Sequence, residues 1–495
     1  MVLNQKFSAI FYLLGSLLLI LGIILLAPIF LVFIYQEGLL LYKSFLIPAL
    51  ISFSLGFLLI RFNEQQGRLT LPTSMLVCSL SWVLSSIVGS IPFQIALDKS
   101  FIDSFFEAVS GFTTTGITVF QGLEYMPRSV IFWRSLIQWL GGLGIITFFL
   151  VVTFRSEGGV WQLFTAESHK INMSRPVPNV FRTIKILWAI YIGFTLLEIL
   201  LLVLFQVSIY DAIIHSLTTL STGGFSNYDS SIGHFRQIGH PFYKIIEYIM
   251  IIFMLLGGTN FLVHYKVLTG NVKELFSNLE LECFWRIIIS SVVLIFIGRL
   301  MMNGNFVWTN LEREFRTILF QVTSIMTTTG YGTQSISSAF FPAVAKQLFL
   351  FLMLVGGCVG STAGGVKVIR LTILNKLFLG EIKKIYLPKR AVSPVVLDKK
   401  VIENEEIMKI VAIFAGWLAL IMIGGGITAL FSDLSAFKAI SGMFSAVGNI
   451  GPFYFSVSEM ASFSPVIKLT YIVGMLAGRL EILPIFLLFT KQAWK

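Results

Sequence analysis

The chain has 495 residues, of which 56% are hydrophobic and 12% charged, with a formal charge of +11 and a mean hydropathy of +0.85. Soluble globular domains are roughly half apolar and a quarter charged, so this composition excludes a soluble domain and places the chain in lipid. The positive balance would suggest nucleic acid for a soluble protein. Here the basic residues fall between apolar runs, so membrane topology accounts for them and no nucleic-acid partner is expected.

Ten full spans are expected, near 10–34, 41–60, 74–95, 129–154, 182–207, 242–264, 284–303, 345–377, 407–431 and 465–489. Runs of this length cross a hydrocarbon core of about 30 Å at roughly 1.5 Å per residue. The first run exceeds the apolar region of a signal peptide and has no small-residue cleavage site behind it, so it is read as retained. An even number of spans puts both termini on one side. Of the 36 Lys and Arg residues, 22 fall on that side and 12 on the other, with Lys367 and Arg479 at membrane depth. The positive-inside rule makes the termini cytoplasmic.

After the first two spans, each opposite-side connection carries a short apolar stretch ending in a polar, glycine-containing turn: Phe101 to Thr118, Asp211 to Ser226, Phe315 to Thr333 and Leu434 to Phe453. These are too short to cross and too apolar for exposed loops, which marks them as re-entrant half-helices. The turns read Thr114-Thr115-Gly116, Thr222-Gly223-Gly224, Thr328-Thr329-Gly330 and Asn449-Ile450-Gly451, their glycines 108, 106 and 121 residues apart. So regular a spacing implies four pseudo-equivalent units. The expected fold is an all-α integral membrane protein with an N-terminal helix pair (1–70) and four pore repeats (71–160, 161–275, 276–400 and 401–495). The second turn leaves its register open by one residue, and the fourth departs from the others in Asn449 and Pro452.

Non-helical backbone at this depth must line a wet cavity or be buried in protein. Four such turns, with half-helices aiming their negative ends at one axis, can form rings of carbonyl oxygens that replace the water shell of a monovalent cation. With the run from Gly356 to Lys367 (GGCVGSTAGGVK) and the run from Gly478 to Ile482 (GRLEI), the chain resembles the Trk/Ktr/HKT superfamily of potassium transporters over essentially its whole length. It is most similar to the bacterial TrkH type, which shares the extra N-terminal pair. The resemblance implies potassium uptake across the inner membrane, with the four turns as the selectivity filter. In plant relatives a serine at the first filter glycine goes with sodium permeation; glycine at all four positions favours potassium. It also implies a homodimer and a cytosolic TrkA-type nucleotide-binding regulator, for which 370–409 is the expected docking surface or, alternatively, a lipid-headgroup contact.

In the eighth span, seven Gly, Ala or Ser residues (Gly356, Gly357, Gly360, Ser361, Ala363, Gly364 and Gly365) make a continuous helix improbable. With Thr362 and Lys367 they form an expected intramembrane loop, 356–366, that can gate the path, the alternative being a static close helix crossing. An intramembrane charge is functional by default, so Arg479 is read as facing the pore below the filter or as joining two helices in a salt bridge. Glu107, Asp211 and His215 are expected to support the half-helices or charge the vestibule. Glu198, alone in the fifth span, is given no role.

Cys78, Cys283 and Cys358 lack the spacing of a disulfide framework or a zinc site. No P-loop, dinucleotide fingerprint or HExxH occurs, so no organic cofactor and no enzyme activity is expected. The competing reading is a cation-coupled symporter with inverted repeats and interrupted spans. The topology is checked by single cysteines at Gly67, Asn172 and Lys389, which should react with impermeant thiol reagents from the cytoplasmic side only; labelling of any one from outside intact cells reverses it.

Overall fold

In a computed structural model the described residues are 2–63, 70–144, 147, 180–302, 310–388, 394–397 and 400–494. The labelling positions Gly67, Asn172 and Lys389, the latter part of the 129–154 span and most of the basic segment 155–185 lie outside them. The described residues are helical apart from turns, loops and one two-residue hairpin in which Val396 pairs with Val401 and Leu397 with Lys400.

The N-terminal pair is Val2–Ile24, continuing as Ala27–Ile34, packed against Leu39–Arg61. The two helices meet at glycines: a Cβ on Gly15 would stand 2.9 Å from the Gly56 carbonyl, and one on Gly56 would stand 2.8 Å from that of Gly15. In lipid, where apolar burial gives helices no drive to associate, such close backbone approach supplies the contact. The pair covers the first helix of repeat 1, Leu71–Leu97, whose most apolar stretch is 72% buried against 33–39% for the corresponding helices Val180–Leu204, Leu279–Met302 and Asn404–Leu430. The two ends of the chain lie together, with Lys6 Nζ donating to the Ala493 carbonyl at 2.5 Å and Phe7 stacked on Trp494.

Each repeat then carries a half-helix: Phe101–Phe112, Ile209–Leu220, Leu311–Met326 and Ala436–Gly448, of 12, 12, 16 and 13 residues. All are shorter than the roughly 20 residues needed to cross a bilayer. The first two begin alike: Ser100 accepts from the Asp103 N–H and Ser208 from the Asp211 N–H, satisfying donors that a helix start leaves free. The half-helices are largely buried, and buried ion pairs anchor two of them. Glu107 meets Arg134 at 2.6 Å within repeat 1, while Arg316 of the third half-helix reaches Glu247 of repeat 2, also at 2.6 Å.

Apart from the irregular stretch expected at 356–366, the second helices differ from the expected continuous spans. Six helices among the described residues are long and apolar enough to cross a membrane. The 242–264 span is instead Tyr243–Gly258 and Phe261–Leu268, bent by 104°. Thr259 is extended there, and Asn260 caps the second piece by accepting from the Leu262 N–H. The 465–489 span is helical over Pro465–Arg479 and then breaks, because Glu481 and Ile482 take positive φ ahead of Pro484. In repeat 3 the helices Ala343–Val355 and Val368–Tyr386 are separated by non-helical backbone from Gly356 to Lys367. In repeat 1 the helix ends at Gly142, and Gly144 has φ +86°. Among the described residues, all four second helices therefore end or break on the side of the termini.

Candidate pore and filter turns

The four half-helices end in the same hydrogen-bonded motif. Thr114, Thr222, Thr328 and Asn449 adopt left-handed φ of +51° to +56°. Their N–H groups return to carbonyls three residues back, in Gly111, Thr219, Ile325 and Ala446. The next N–H groups, of Thr115, Gly223, Thr329 and Ile450, return five residues to Ser110, Thr218, Ser324 and Ser445 at 2.8–3.0 Å. This pair of bonds is the Schellman termination. It consumes the first N–H donors of the turn, so that the turn carbonyls forward of it lie outside the hydrogen-bond ladder of the half-helix. The next residues, Gly116, Gly224, Gly330 and Gly451, again have positive φ, from +71° to +110°. The register left open in repeat 2 is thus set with Gly224, not Gly223, equivalent to Gly116.

The glycines are required by contact as well as by dihedral angle. A Cβ on Gly116 would collide with the Gly223 carbonyl, one on Gly224 with that of Thr329, and one on Gly330 with that of Ile450; on Gly451 it would stand 3.2 Å from the Thr115 carbonyl. Each repeat abuts the next and the fourth returns to the first, so the four turns close a ring. On one side of the ring Gly116, Gly224, Gly330 and Gly451 all line a cavity of about 660 Å³. At its rim the Ser456 backbone N–H and hydroxyl donate to Glu459 and hold that carboxyl below the usual range.

The supports behind the turns differ between repeats. Gln138 Nε2 donates to the Gly223 carbonyl at 2.7 Å and its Oε1 accepts from the Phe225 N–H at 3.0 Å, bracketing Gly224. Ser324 donates to the Tyr331 carbonyl and Ser445 accepts from the Gly451 N–H. Asn449 Nδ2 donates to Thr115 Oγ1 at 2.8 Å and to the Met475 carbonyl at 2.9 Å, joining the fourth turn to the first and to the last long helix. Sequence reasoning passed over Gln138; the signal was a second buried-type polar residue one turn beyond Arg134 in an apolar span.

Directly against the other face of the ring lies the segment 356–367. Thr362 Oγ1 donates to the Leu220 and Gly257 carbonyls, and the Gly364 N–H donates to Thr328 Oγ1 at 2.7 Å. A Cβ on Gly364 would strike the Gly448 carbonyl at the start of the fourth turn. The segment is also knitted to the break in repeat 2: the Cys358 N–H donates to Gly258, the Thr362 N–H to Gly257, and the Phe261 N–H to the Gly360 carbonyl. Glu280 accepts from the Val359 N–H at 2.7 Å, and Lys367 Nζ folds back onto the Ala363 carbonyl.

Arg479 spans the same region. Its guanidinium donates to the Thr362 carbonyl at 2.7 Å and to the Gly141 and Gly142 carbonyls at 2.5 and 2.7 Å. Glu481 pairs with Arg370. Arg479, Gly142, Gly364, Gly365 and Lys367 line a cavity of about 100 Å³ on the side of the termini. The structure thus brings together the filter-turn residues in one ring and the loop residues with Arg479 beneath it.

Glu107, Asp211 and His215 stand apart from the ring. Glu107 accepts from Thr118 Oγ1 and the Val119 N–H besides Arg134, which also donates to the Ser226 carbonyl. Asp211 accepts from Asn227 and Tyr228, and His215 bonds the Asp211 carbonyl and Ser226 Oγ. All three hold the chain that leaves a filter turn against its half-helix. Burial beside Asp211 pushes the Tyr228 hydroxyl above its usual range, so it remains a donor to that carboxylate.

Four turns closed in a ring among helices long and apolar enough to cross a membrane define the class as an integral membrane protein. The chain belongs to the TrkH family of cation transport proteins, whose family model matches residues 43–494. It is 33% identical to an uncharacterized cation transporter of Methanocaldococcus jannaschii over 99% of this chain and 97% of that one. It is 32% identical to the Trk system potassium uptake protein TrkH of Escherichia coli K12, over 99% of this chain and all of that one. The crystal structure of the potassium transporter TrkH from Vibrio parahaemolyticus superposes with a TM-score of 0.86 at 28% identity, covering 99% of this chain and all of that one.

The buried Glu107–Arg134 pair yields a stability prediction. Glu107→Ala leaves a buried guanidinium without its counter-ion, and breaking such a pair costs about 3–5 kcal/mol. The thermal midpoint of the detergent-solubilised protein should fall clearly; an unchanged midpoint would deny the pair its anchoring role.

Proposed function

We propose that this chain is the ion-conducting subunit of a Trk-type potassium uptake system in the inner membrane, with both termini cytoplasmic. The observation that carries the reading is the closed ring in which each filter glycine abuts a carbonyl of the next repeat. Potassium is the substrate: the carbonyl oxygens of the four turns replace its water shell, and the half-helices direct negative ends toward it. Thr114, Thr115, Gly116, Thr222, Gly223, Gly224, Thr328, Thr329, Gly330, Asn449, Ile450 and Gly451 form the filter. The printed name of the Escherichia coli relative, a potassium uptake protein, points the same way.

The segment 356–367 acts as the gate, since Thr362 is hydrogen-bonded to the half-helix carbonyl of Leu220 and Gly364 to the Thr328 hydroxyl of the third turn, directly beneath the ring. Arg479 locks it by holding the Thr362 carbonyl and the break in repeat 1 together, and its charge opposes cation passage. A cytosolic nucleotide-binding subunit of the TrkA type opens the gate through the 370–409 region, and the chain works as a homodimer in contact with lipid. A coupled symporter also has interrupted spans, so the breaks in the second helices do not separate the two readings. The like orientation of four units around one axis favours the pore.

Two measurements test this. Gly116→Ser or Gly330→Ser forces a side chain into left-handed backbone against a neighbouring carbonyl. Either should lower potassium over sodium discrimination in proteoliposomes with insertion intact, and unchanged ion preference in both would move the selective site elsewhere. Deleting 360–364 removes Thr362 and its links to Leu220, Thr222, Gly257 and Arg479. Basal potassium flux should rise and depend less on the regulatory subunit, with ion preference retained; wild-type regulated flux from a normally inserted deletion protein would make the segment a static crossing.

A further inference from the structure

Glu198 lies in the first helix of repeat 2 on a face formed by Tyr191, Thr195, Glu198 and Leu202, all buried. It is fully enclosed, and neither carboxyl oxygen has a hydrogen-bond partner among the described residues. The carboxyl is set against Thr219, one turn before the second filter turn, without reaching it in normal hydrogen-bond geometry. The ionisable groups its charge would act on are the phenols of Tyr191, on its own helix, and Tyr331, in the third filter loop. From the remaining packed elements, Met250 faces Thr219, and His264 is bonded to Thr259 and the Leu256 carbonyl.

The hydroxyl protons nearby are all committed. Thr219 donates to the His215 carbonyl at 2.7 Å, and Thr218 and Tyr331 share one hydroxyl proton between them at 2.5 Å while the other goes to a backbone carbonyl, from Thr218 to Ile214 or from Tyr331 to His215. This cluster ties the second half-helix to the residue after Gly330. It has lone pairs to spare and no proton to offer. An ionised carboxylate beside it would be buried without a donor or a counter-ion, a state that loss of solvation strongly disfavours, whereas a protonated carboxyl is itself a donor.

We propose that Glu198 carries its proton at neutral pH and, as a neutral acid, donates a hydrogen bond to Thr219 that holds the second half-helix in register with the third filter loop. Glu198 is then a positioning residue for the filter. Its effect on ion preference rests on the filter reading above, while its protonation does not.

The test compares infrared spectra of the reconstituted full-length protein at neutral pH. The wild type should show the carbonyl stretch of a protonated carboxyl that Glu198→Gln removes, and Thr219→Val should move that band to higher frequency. In potassium and sodium flux assays, Glu198→Gln, which keeps a donor, should retain wild-type discrimination. Glu198→Leu should reduce it roughly fivefold, the factor for one net hydrogen bond. A wild-type spectrum without the band, a band unmoved by Thr219→Val, or wild-type discrimination in Glu198→Leu each overturns the proposal. If the wild type itself proves unselective, the filter reading fails and the infrared result still decides the protonation state.

Discussion

Backbone N–H and C=O groups at membrane depth must find partners inside the protein, because lipid offers none. The whole central architecture answers to that constraint. In the filter turns, the two N–H groups beyond each half-helix fold back onto its last carbonyls, so that the turn carbonyls forward of them lie outside the half-helix ladder. The breaks in the second helices meet the same demand by pairing with one another. The carbonyls freed at Gly257 and Gly258 take the Thr362 and Cys358 N–H groups, Gly360 takes that of Phe261, and those of Gly141, Gly142 and Thr362 take Arg479. A guanidinium suits this role because its several donors diverge in a fixed fork. All four repeats are thereby joined beneath the ring, the backbone of the first three through groups that would otherwise be orphaned and the fourth through Arg479.

A single chain with four repeats can vary each support independently, and this one does. The turn motif repeats down to the individual hydrogen bond, yet the side chains behind it are Gln138, Ser324, Ser445 and Asn449 in different arrangements. Asn449, which looked like a departure from the Thr of the other turns, tolerates left-handed backbone better than Thr does. It also spends its amide on closing the ring between repeats 4 and 1. The polar residues of the half-helices diverge in the same manner, with Glu107, Asp211 and His215 each securing the outgoing chain by a different set of partners.

Composition, span length and the recurring glycine turns were enough to establish a membrane protein of four re-entrant units with an extra N-terminal pair, because hydropathy and turn chemistry are local properties. The irregular stretch at Gly356 to Lys367 was legible for the same reason: seven small residues in an expected span leave no stable helix. The breaks at Gly258 to Phe261 and at Arg479 to Ile482 were not legible. Each lies in a stretch apolar enough to pass as continuous; the first is stabilised by hydrogen bonds to 358–362, about a hundred residues away, and the second by local returns of the Glu481 and Ile482 N–H groups together with the ion pair between Glu481 and distant Arg370. The register of the second turn had the same character, since Gly223 and Gly224 are chemically identical. Only the Schellman bonds and the facing Thr329 carbonyl distinguish them. Residue type along the chain therefore determined where the chain enters lipid and where it turns, whereas the tertiary structure alone decided which freed backbone groups meet, because partners for them come from other repeats.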